Sequence, residues 1–420
     1  MPLPTDLELI RRDTELPGLG LLLDAEVMLA HFQKAFPERG YSDLQILYVR
    51  YKPQTSCLVR LELETSGGLE QAYASAYQTD NHDKFSKAEL APEQLCKVLR
   101  AEGLVLQRFP YDRNLKHLAE LLDPLMRSGL LKKALGQAMG DSQLKPLVYK
   151  PERRFVAKLE TKSTSFALKQ YSSQSFDQAL ASAKALEALD LPIAKLQGSS
   201  EKHKLIAFDW LNGKTLRELF LENQACPDTL YSLGQTLAKV HMQDASSFPS
   251  RSRTFEKERL IALNHYVGWL LPNLGSQLSQ LTSFLSKEFS RAAPCHNLVH
   301  GDFYDKQVLV NEDEISLIDF DDAYRGDPAH DIGLFTAHLE RNLLIGRLSE
   351  RQCKMSLPAF LEGYKSLRPL PERIDLYTAA ELIGLAPHFF RNREPDWAQQ
   401  TEDLLARASE IVVESYVVSA

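Results

Sequence analysis

The sequence predicts an α+β fold in which strands and helices occupy separate stretches of the chain instead of alternating along it. Three observations carry that reading. Leu147-Val148-Tyr149-Lys150, Arg154-Phe155-Val156-Ala157-Lys158-Leu159 and Ser165-Phe166-Ala167-Leu168-Lys169-Gln170-Tyr171 are short β-favouring runs separated by turns. Beyond Gly213 the apolar spacing becomes helical. The amino-terminal third repeats part of the strand-rich segment: Tyr51 to Glu62 aligns without gaps to Tyr149 to Glu160, with Tyr-Lys-Pro and Leu-Glu identical and Arg60 against Lys158.

The length of 420 residues suits two or three domains, and 44% apolar with 25% charged residues is ordinary for a globular protein. A net charge of −7 and a pI near 5.9 argue against a nucleic-acid or anionic-membrane partner. No apolar run reaches membrane-spanning length, and Met1 to Asp6 lacks the charged start and apolar core of a secretory leader. Cys57, Cys96, Cys226, Cys295 and Cys353 are odd in number and scattered, without metal-type spacing. A reducing cytoplasm is the expected location.

In chain order, the duplicated hairpin near Tyr51 is followed by a strand around Tyr73 to Tyr77, with no lysine where Lys169 stands in the second copy. Helices are expected around Pro92 to Ala101 and Asn114 to Ala134. Asp80-Asn81-His82-Asp83 reads as a solvated polar loop. After the three strands, Ser175 to Leu189 has helical spacing, with Ser175 as its cap. Leu205 to Phe208 reads as a buried strand, leading into Asp209-Trp210-Leu211-Asn212-Gly213. Leu233 to His241 fits a long helix in which His241 packs, and Phe360 to Tyr364 and Tyr377 to Leu382 continue the helical pattern.

The segment richest in chemistry is His300-Gly301-Asp302-Phe303-Tyr304-Asp305-Lys306-Gln307, followed by Ile318-Asp319-Phe320-Asp321. Val308 to Val310 and Ile315 to Ile318 are apolar runs around the polar turn Asn311-Glu312-Asp313-Glu314, which is a hairpin signal. A turn centred between Glu312 and Asp313 sets Lys306 opposite Asp319 and Gln307 opposite Ile318. Gln307 and Asp319 then share the open end of the ladder, with Asp302 on the loop entering it. A carboxylate that can take a hydroxyl proton, beside an amide and a second carboxylate that can hold magnesium, suits phosphoryl transfer. Asp327 before Pro328 marks a helix start.

These motifs resemble the catalytic and metal loops of the aminoglycoside phosphotransferase and choline kinase family, whose fold is that of the protein kinases. The family pattern of H-G-D, four residues, N, a hairpin, I-D-F and G-D-P-x-x-D is met by His300-Gly301-Asp302, Gln307, Ile318-Asp319-Phe320 and Gly326-Asp327-Pro328-Ala329-His330-Asp331. The departure is glutamine for asparagine at 307, which keeps a carbonyl ligand but adds one methylene. The H-G-D-x-x-x-x-Q-V-L form is also similar to maltokinases, which carry an amino-terminal cap.

The resemblance implies a bilobal protein-kinase-like fold. It would comprise a cap domain at 1–140, a small β-rich upper lobe with its hinge at 141–213, and a helical catalytic lobe at 214–420. It implies Asp302 as base, Gln307 and Asp319 as magnesium ligands, and His300, Asp321 and Asp331 in support. Lys169, with Lys158 as competitor, would grip the phosphates of ATP, and the backbone of Asp209, Trp210 and Leu211 would meet adenine. The helix partner of Lys169 stays open among Glu187, Asp177 and Gln178. The turn Pro151 to Arg154 contains no glycine, so a glycine-rich phosphate cover is absent. Glu362, Glu381, His388, Arg391, Arg393, Glu394, Asp396 and Trp397 are candidates to line an acceptor pocket. The function implied is ATP- and Mg2+-dependent phosphorylation of a hydroxyl on a small metabolite in the class of sugars, amino sugars and aminoglycosides. The alternative is a non-catalytic nucleotide-binding protein on the same fold.

Overall fold

A computed structural model describes residues 2–136, 139, 141–252 and 254–417. The expected boundary after 140 falls on Gly140, outside the described residues. The chain forms two compact units. One comprises 1–176, 198–207 and 388–398; the other comprises 177–197, 208–387 and 399–420. No described helix is long and apolar enough to cross a membrane.

The first unit is built on two five-stranded sheets of the same order. In the first, β1 (Asp43–Lys52), β2 (Ser56–Thr65), β3 (Gly68–Tyr77), β4 (Cys96–Leu99) and β5 (Leu104–Arg108) lie in the order β1-β2-β3-β5-β4. In the second, β6 (Gln143–Lys150), β7 (Arg154–Glu160), β8 (Ser165–Tyr171), β9 (Leu196–Ser200) and β10 (Leu205–Asp209) repeat it as β6-β7-β8-β10-β9.

The likeness extends to single hydrogen bonds. Asp13 accepts from the Tyr51 hydroxyl at 2.6 Å and from the Gln54 N–H at 2.9 Å, and Asp112 accepts from the Tyr149 hydroxyl at 2.9 Å and from the Glu152 N–H at 2.7 Å. Gln54 and Glu152 both take left-handed backbone, at φ 58° and 64°, which the carboxylate below each turn stabilises. The Tyr77 N–H donates to the Gly103 carbonyl, and the Tyr171 N–H donates to the Lys204 carbonyl, each at 2.9 Å. In register terms Leu58 faces Ser75 where Val156 faces Lys169. A buried serine therefore stands where the second sheet carries its lysine.

Helices Leu118–Leu122 and Pro124–Leu135 contribute Leu118, Leu121, Leu130 and Leu131 to the apolar core that contains Tyr73, Phe155, Leu159 and Leu168. The sequence pattern suggests one helix here. Asp123 divides it, because its carboxylate caps the Leu125 and Met126 N–H groups and Pro124 takes the first helical position. The helix expected over Pro92 to Ala101 is instead a turn followed by β4, since Leu95 and Cys96 both donate to the Pro92 carbonyl and Cys96–Leu99 then pairs with β5. The helix Ser173–Glu187 begins two residues before the expected cap Ser175.

The second unit is mainly helical. Pro227–His241 and Glu350–Lys365 pack closely: a Cβ at Gly234 would meet the Phe360 carbonyl oxygen at 2.0 Å, and one at Gly363 would meet that of Tyr231 at 1.9 Å. Phe303, Phe335 and Phe360 are fully buried at the centre, with Phe335 and Phe360 ring centroids 4.6 Å apart. Phe303 is part of the loop after β12 (Asn297–Val299), so the core fixes that loop from beneath. The hairpin strands are β13 (Val308–Asn311) and β14 (Glu314–Leu317), and β11 (Lys214–Thr215) pairs with the outer side of β13. β15 (Tyr324–Gly326) pairs with β12.

Candidate active site

The hairpin register is the expected one: Val308 faces Leu317 and Asn311 faces Glu314, and the Ile318 N–H donates to the Gln307 carbonyl at 3.0 Å. Gln307 and Asp319 therefore meet at the open end. The Gln307 amide nitrogen lies 3.2 Å from Asp302 Oδ2 and 3.5 Å from Asp319 Oδ2, and Gln307 is buried. Asp319 holds left-handed backbone at φ 68°, an uncommon state for a non-glycine residue that turns its side chain out of the strand direction. Which end of the Gln307 amide faces the carboxylates is an assignment, and a half-turn presents its oxygen instead. A carboxylate and an amide oxygen are the hard donors that magnesium takes when waters and phosphate complete its shell. The donor set fits that ion, and Asp319 and Gln307 are the residues that could hold it.

His300 joins the two segments that carry the carboxylates. Its Nε2–H donates to the Ile318 carbonyl at 3.0 Å, and its Nδ1 accepts the Asp302 N–H at 3.3 Å. That pattern requires a neutral ring. Burial pushes its pKa down, consistent with the pattern. Gly301 at φ +85° passes so close to the next turn that a Cβ would meet the Asp322 carbonyl oxygen at 2.3 Å, which only glycine allows.

Asp331 holds the same loop from the helix Ala329–Leu344. Its Oδ2 accepts the His300 N–H at 2.7 Å and its Oδ1 accepts the Gly301 N–H at 2.9 Å. His241 donates from Nε2 to Oδ2 at 3.0 Å, and its Nδ1 lies 2.9 Å from the Tyr364 hydroxyl, which donates to it. Burial alone would raise the Asp331 carboxyl, but the hydrogen bond from His241 and the nearby His330 outweigh it and hold the group well below the usual carboxylate range. His330 sits 3.7 Å from Asp331 and 3.2 Å from Glu381. Burial opposes its charge, yet those two carboxylates raise its pKa to about 9. Asp327 caps the helix through the Ala329 N–H at 3.0 Å and pairs with Arg373 at 2.8 Å.

Sequence reasoning missed one brace. Asp305 is buried and held by Arg217 from two nitrogens, at 3.0 and 2.8 Å, with Asn342 donating at 3.2 Å. The separation of 88 residues between Arg217 and Asp305 leaves no local signal. Tyr304 stacks on His338 with ring centroids 4.3 Å apart, so it is packed.

Other expected residues fall elsewhere. Asp321 lies within the short turn Phe320–Asp322, and its main-chain carbonyl accepts the Gln178 amide at 3.4 Å. Asp209 donates its N–H to the Lys195 carbonyl at 3.0 Å and accepts the Lys195 N–H on its carboxylate. In the first unit, Lys169 lies on β8 opposite Val156, while the competitor Lys158 forms an ion pair with Glu160 at 2.5 Å. Three of the acceptor-pocket candidates have partners within their own unit. Glu381 is buried against Arg259 at 2.6 Å and His330, while Arg393 and Trp397 both hold the buried Asp6, at 2.5 and 3.2 Å.

The sequence pattern of the phosphotransferase enzyme family matches residues 147–375. No curated relative matches the chain. Among solved structures, a thermostable mutant of the aminoglycoside phosphotransferase APH(4)-Ia in apo form superposes with a TM-score of 0.52 at 16% identity, over 69% of this chain and 99% of that one. A variant of that enzyme in ternary complex with AMP-PNP and hygromycin B gives 0.51 at 16% identity, over 68% and 97%. At such identity the likeness shows the fold.

Proposed function

The chain belongs to the phosphotransferase enzyme family, and we propose that it transfers the terminal phosphoryl group of ATP to a hydroxyl of a small metabolite, in the class of sugars, amino sugars and aminoglycosides. The observation that carries the reading is the Gln307 amide within reach of both Asp302 and Asp319 at the end of one hairpin. The acceptor oxygen attacks the γ-phosphorus while the bond to the bridging oxygen breaks. The hydroxyl proton passes to Asp302 and ADP leaves. Asp319 and Gln307 hold magnesium, which neutralises charge on the phosphates when bound. Lys169 steadies the α- and β-phosphates. The Asp209 N–H already has a partner in Lys195, so adenine recognition falls to the Asp209 carbonyl and the backbone of Trp210 and Leu211. We assign 1–140 as cap, 141–213 as upper lobe and hinge, and 214–420 as catalytic lobe, working in a reducing cytoplasm.

A coupled ADP-release screen across hydroxylated acceptors tests this. One acceptor class should stimulate release, and Asp302→Asn should lower turnover by about two orders of magnitude or more while leaving nucleotide affinity nearly unchanged. Wild-type turnover in that variant defeats the base assignment. The second reading, nucleotide binding without turnover, is favoured by the glycine-free turn at Pro151 to Arg154. Mg-ATP affinity with no release for any acceptor would establish it.

A further inference from the structure

In the first unit, away from the hairpin, two imidazoles and a carboxylate converge from distant parts of the chain. His117 precedes the helix Leu118–Leu122 and Glu120 lies within it, while His203 sits in the turn between β9 and β10. One donor atom from each lies within 4.8 Å of the other two. We propose that His117, Glu120 and His203 bind a first-row divalent transition metal of the zinc type, and that the ion ties this helix to the β9–β10 turn.

The chemistry selects the metal class. Two imidazoles with one carboxylate are a zinc donor set that leaves one position for water. Magnesium and calcium want more oxygen donors than the site supplies. Lys133 and Lys202 are near enough for their charges to be felt at His203, which further disfavours an ion bound by charge alone.

The geometry is prepared in part. Ser200 Oγ lies 2.7 Å from His203 Nδ1, so with Nδ1–H donating to it, Nε2 is left with its lone pair for a metal. The Gln170 amide donates to the His203 carbonyl at 3.3 Å and fixes the turn from the other side. The His117 and His203 rings stand edge to face, with centroids 4.9 Å apart. His117 Nδ1 is 2.9 Å from Glu120 Oε1, and a metal would replace the proton between them. Donors at ~2.0–2.1 Å from zinc stand about 3.4 Å apart in a tetrahedron, so with every pair within 4.8 Å the adjustment needed is on the order of 1 Å at most. His117 and Glu120 are partly exposed and can move that far, whereas His203 is buried and anchored.

The repeat sharpens the case. The Tyr77 and Tyr171 hydrogen bonds equate Gly103 with Lys204, so Glu102 stands in the first sheet where His203 stands in the second. The histidine is therefore not a requirement of the turn itself.

The test uses the full chain, stripped with chelator under reducing conditions and titrated with Zn2+ by calorimetry, then with Co2+ by visible absorption. One equivalent should bind, raise the melting temperature by several degrees at saturation, and give a tetrahedral Co2+ spectrum without a thiolate band. Glu120→Gln, at a partly exposed position, should weaken Zn2+ at least tenfold without lowering the metal-free melting temperature, and His117→Ala should do the same. His203→Asn adds a buried-site variant whose folding is checked by circular dichroism. No stoichiometric binding, or equal binding in Glu120→Gln and His117→Ala, overturns the proposal. Acceptor-dependent ADP release is measured separately, so failure of this site leaves the kinase reading untouched.

Discussion

Replacing Asp331 by asparagine should destabilise the second unit severely, and the reason can be worked atom by atom. The carboxylate takes three N–H groups: His300 and His241 on Oδ2, and Gly301 on Oδ1. An asparagine amide has one oxygen. If it faces Gly301, its NH2 confronts the His300 N–H; if it is flipped, its NH2 confronts the Gly301 N–H. His241 can change tautomer, but neither main-chain group can. One buried N–H is therefore left facing another donor, a loss of about 1–3 kcal/mol. His330, whose pKa of about 9 keeps it charged, also loses one of its two carboxylates. Together these reach the ~3–5 kcal/mol typical of breaking one side of a buried ion pair. For a unit of this size that is a melting-temperature drop of roughly 6–20 °C, read by circular dichroism and differential scanning fluorimetry. The pH dependence supplies a second check. The Asp331 carboxyl is depressed in the folded state, so its stabilisation is complete above the unfolded value near 3.8 and erodes as pH falls below it. The deficit of Asp331→Asn should hold between pH 8 and 5 and narrow only below about 4. A drop under roughly 2 °C, or a deficit already gone at pH 6, would refute the assignment.

Two further outcomes follow from neighbouring groups. Gln307→Asn keeps an oxygen donor and should raise the Mg2+ concentration needed for half-maximal ADP release, while Gln307→Leu removes the donor and should abolish release at any Mg2+ concentration; full activity in the leucine variant would remove Gln307 from the metal site. His330 has a raised folded-state pKa of about 9, so its contribution is complete below its unfolded value near 6.5 and is lost as pH rises through 9. The wild-type stability should fall across that window by on the order of 3 kcal/mol, read as a falling melting temperature, and His330→Gln should flatten the fall; parallel curves would show that His330 is neutral throughout.

How much of this could be read from the sequence depended on the distance over which each feature is determined. The hairpin register was legible because a polar turn of fixed length between two apolar runs leaves little choice, and it placed Gln307 against Ile318 correctly. The spacing of Asp302, Gln307 and Asp319 was legible for the same local reason. Pro92 to Ala101 was misread because a four-residue strand offers too few positions for its period to outweigh helix-favouring neighbours. Asp305 with Arg217, Asp6 with Arg393 and His203 with His117 were invisible. Each pair is made by packing of segments 86 residues or more apart, and a lone histidine or arginine carries no record of its partner.

The two sheets show what the repeat preserves and what it gives up. Both keep the aspartate under the turn, the tyrosine that reaches it, the left-handed residue and the tyrosine tie to the fifth strand's entrance. These are the contacts that define the sheet. The lysine, assigned to the phosphates in the proposed function, is present once, with Ser75 in its place in the first copy. What the first copy gains is a grip on the second. Arg50 donates to the Pro151 carbonyl at 3.2 Å and to Glu152 at 2.5 Å, Arg113 pairs with Glu152 at 2.6 Å, and Arg60 donates to the Tyr149 carbonyl at 2.9 Å. The first three contacts fall on the tip of the β6–β7 hairpin, the glycine-free turn that would cover the nucleotide phosphates in the proposed function, and the fourth falls on β6 beside it. A flexible glycine loop closes by ordering itself around the ligand, at an entropic cost. Here the turn is ordered beforehand by charged contacts from the first sheet and the loop after it, so under the proposed function that ordering cost would already be met before a nucleotide binds.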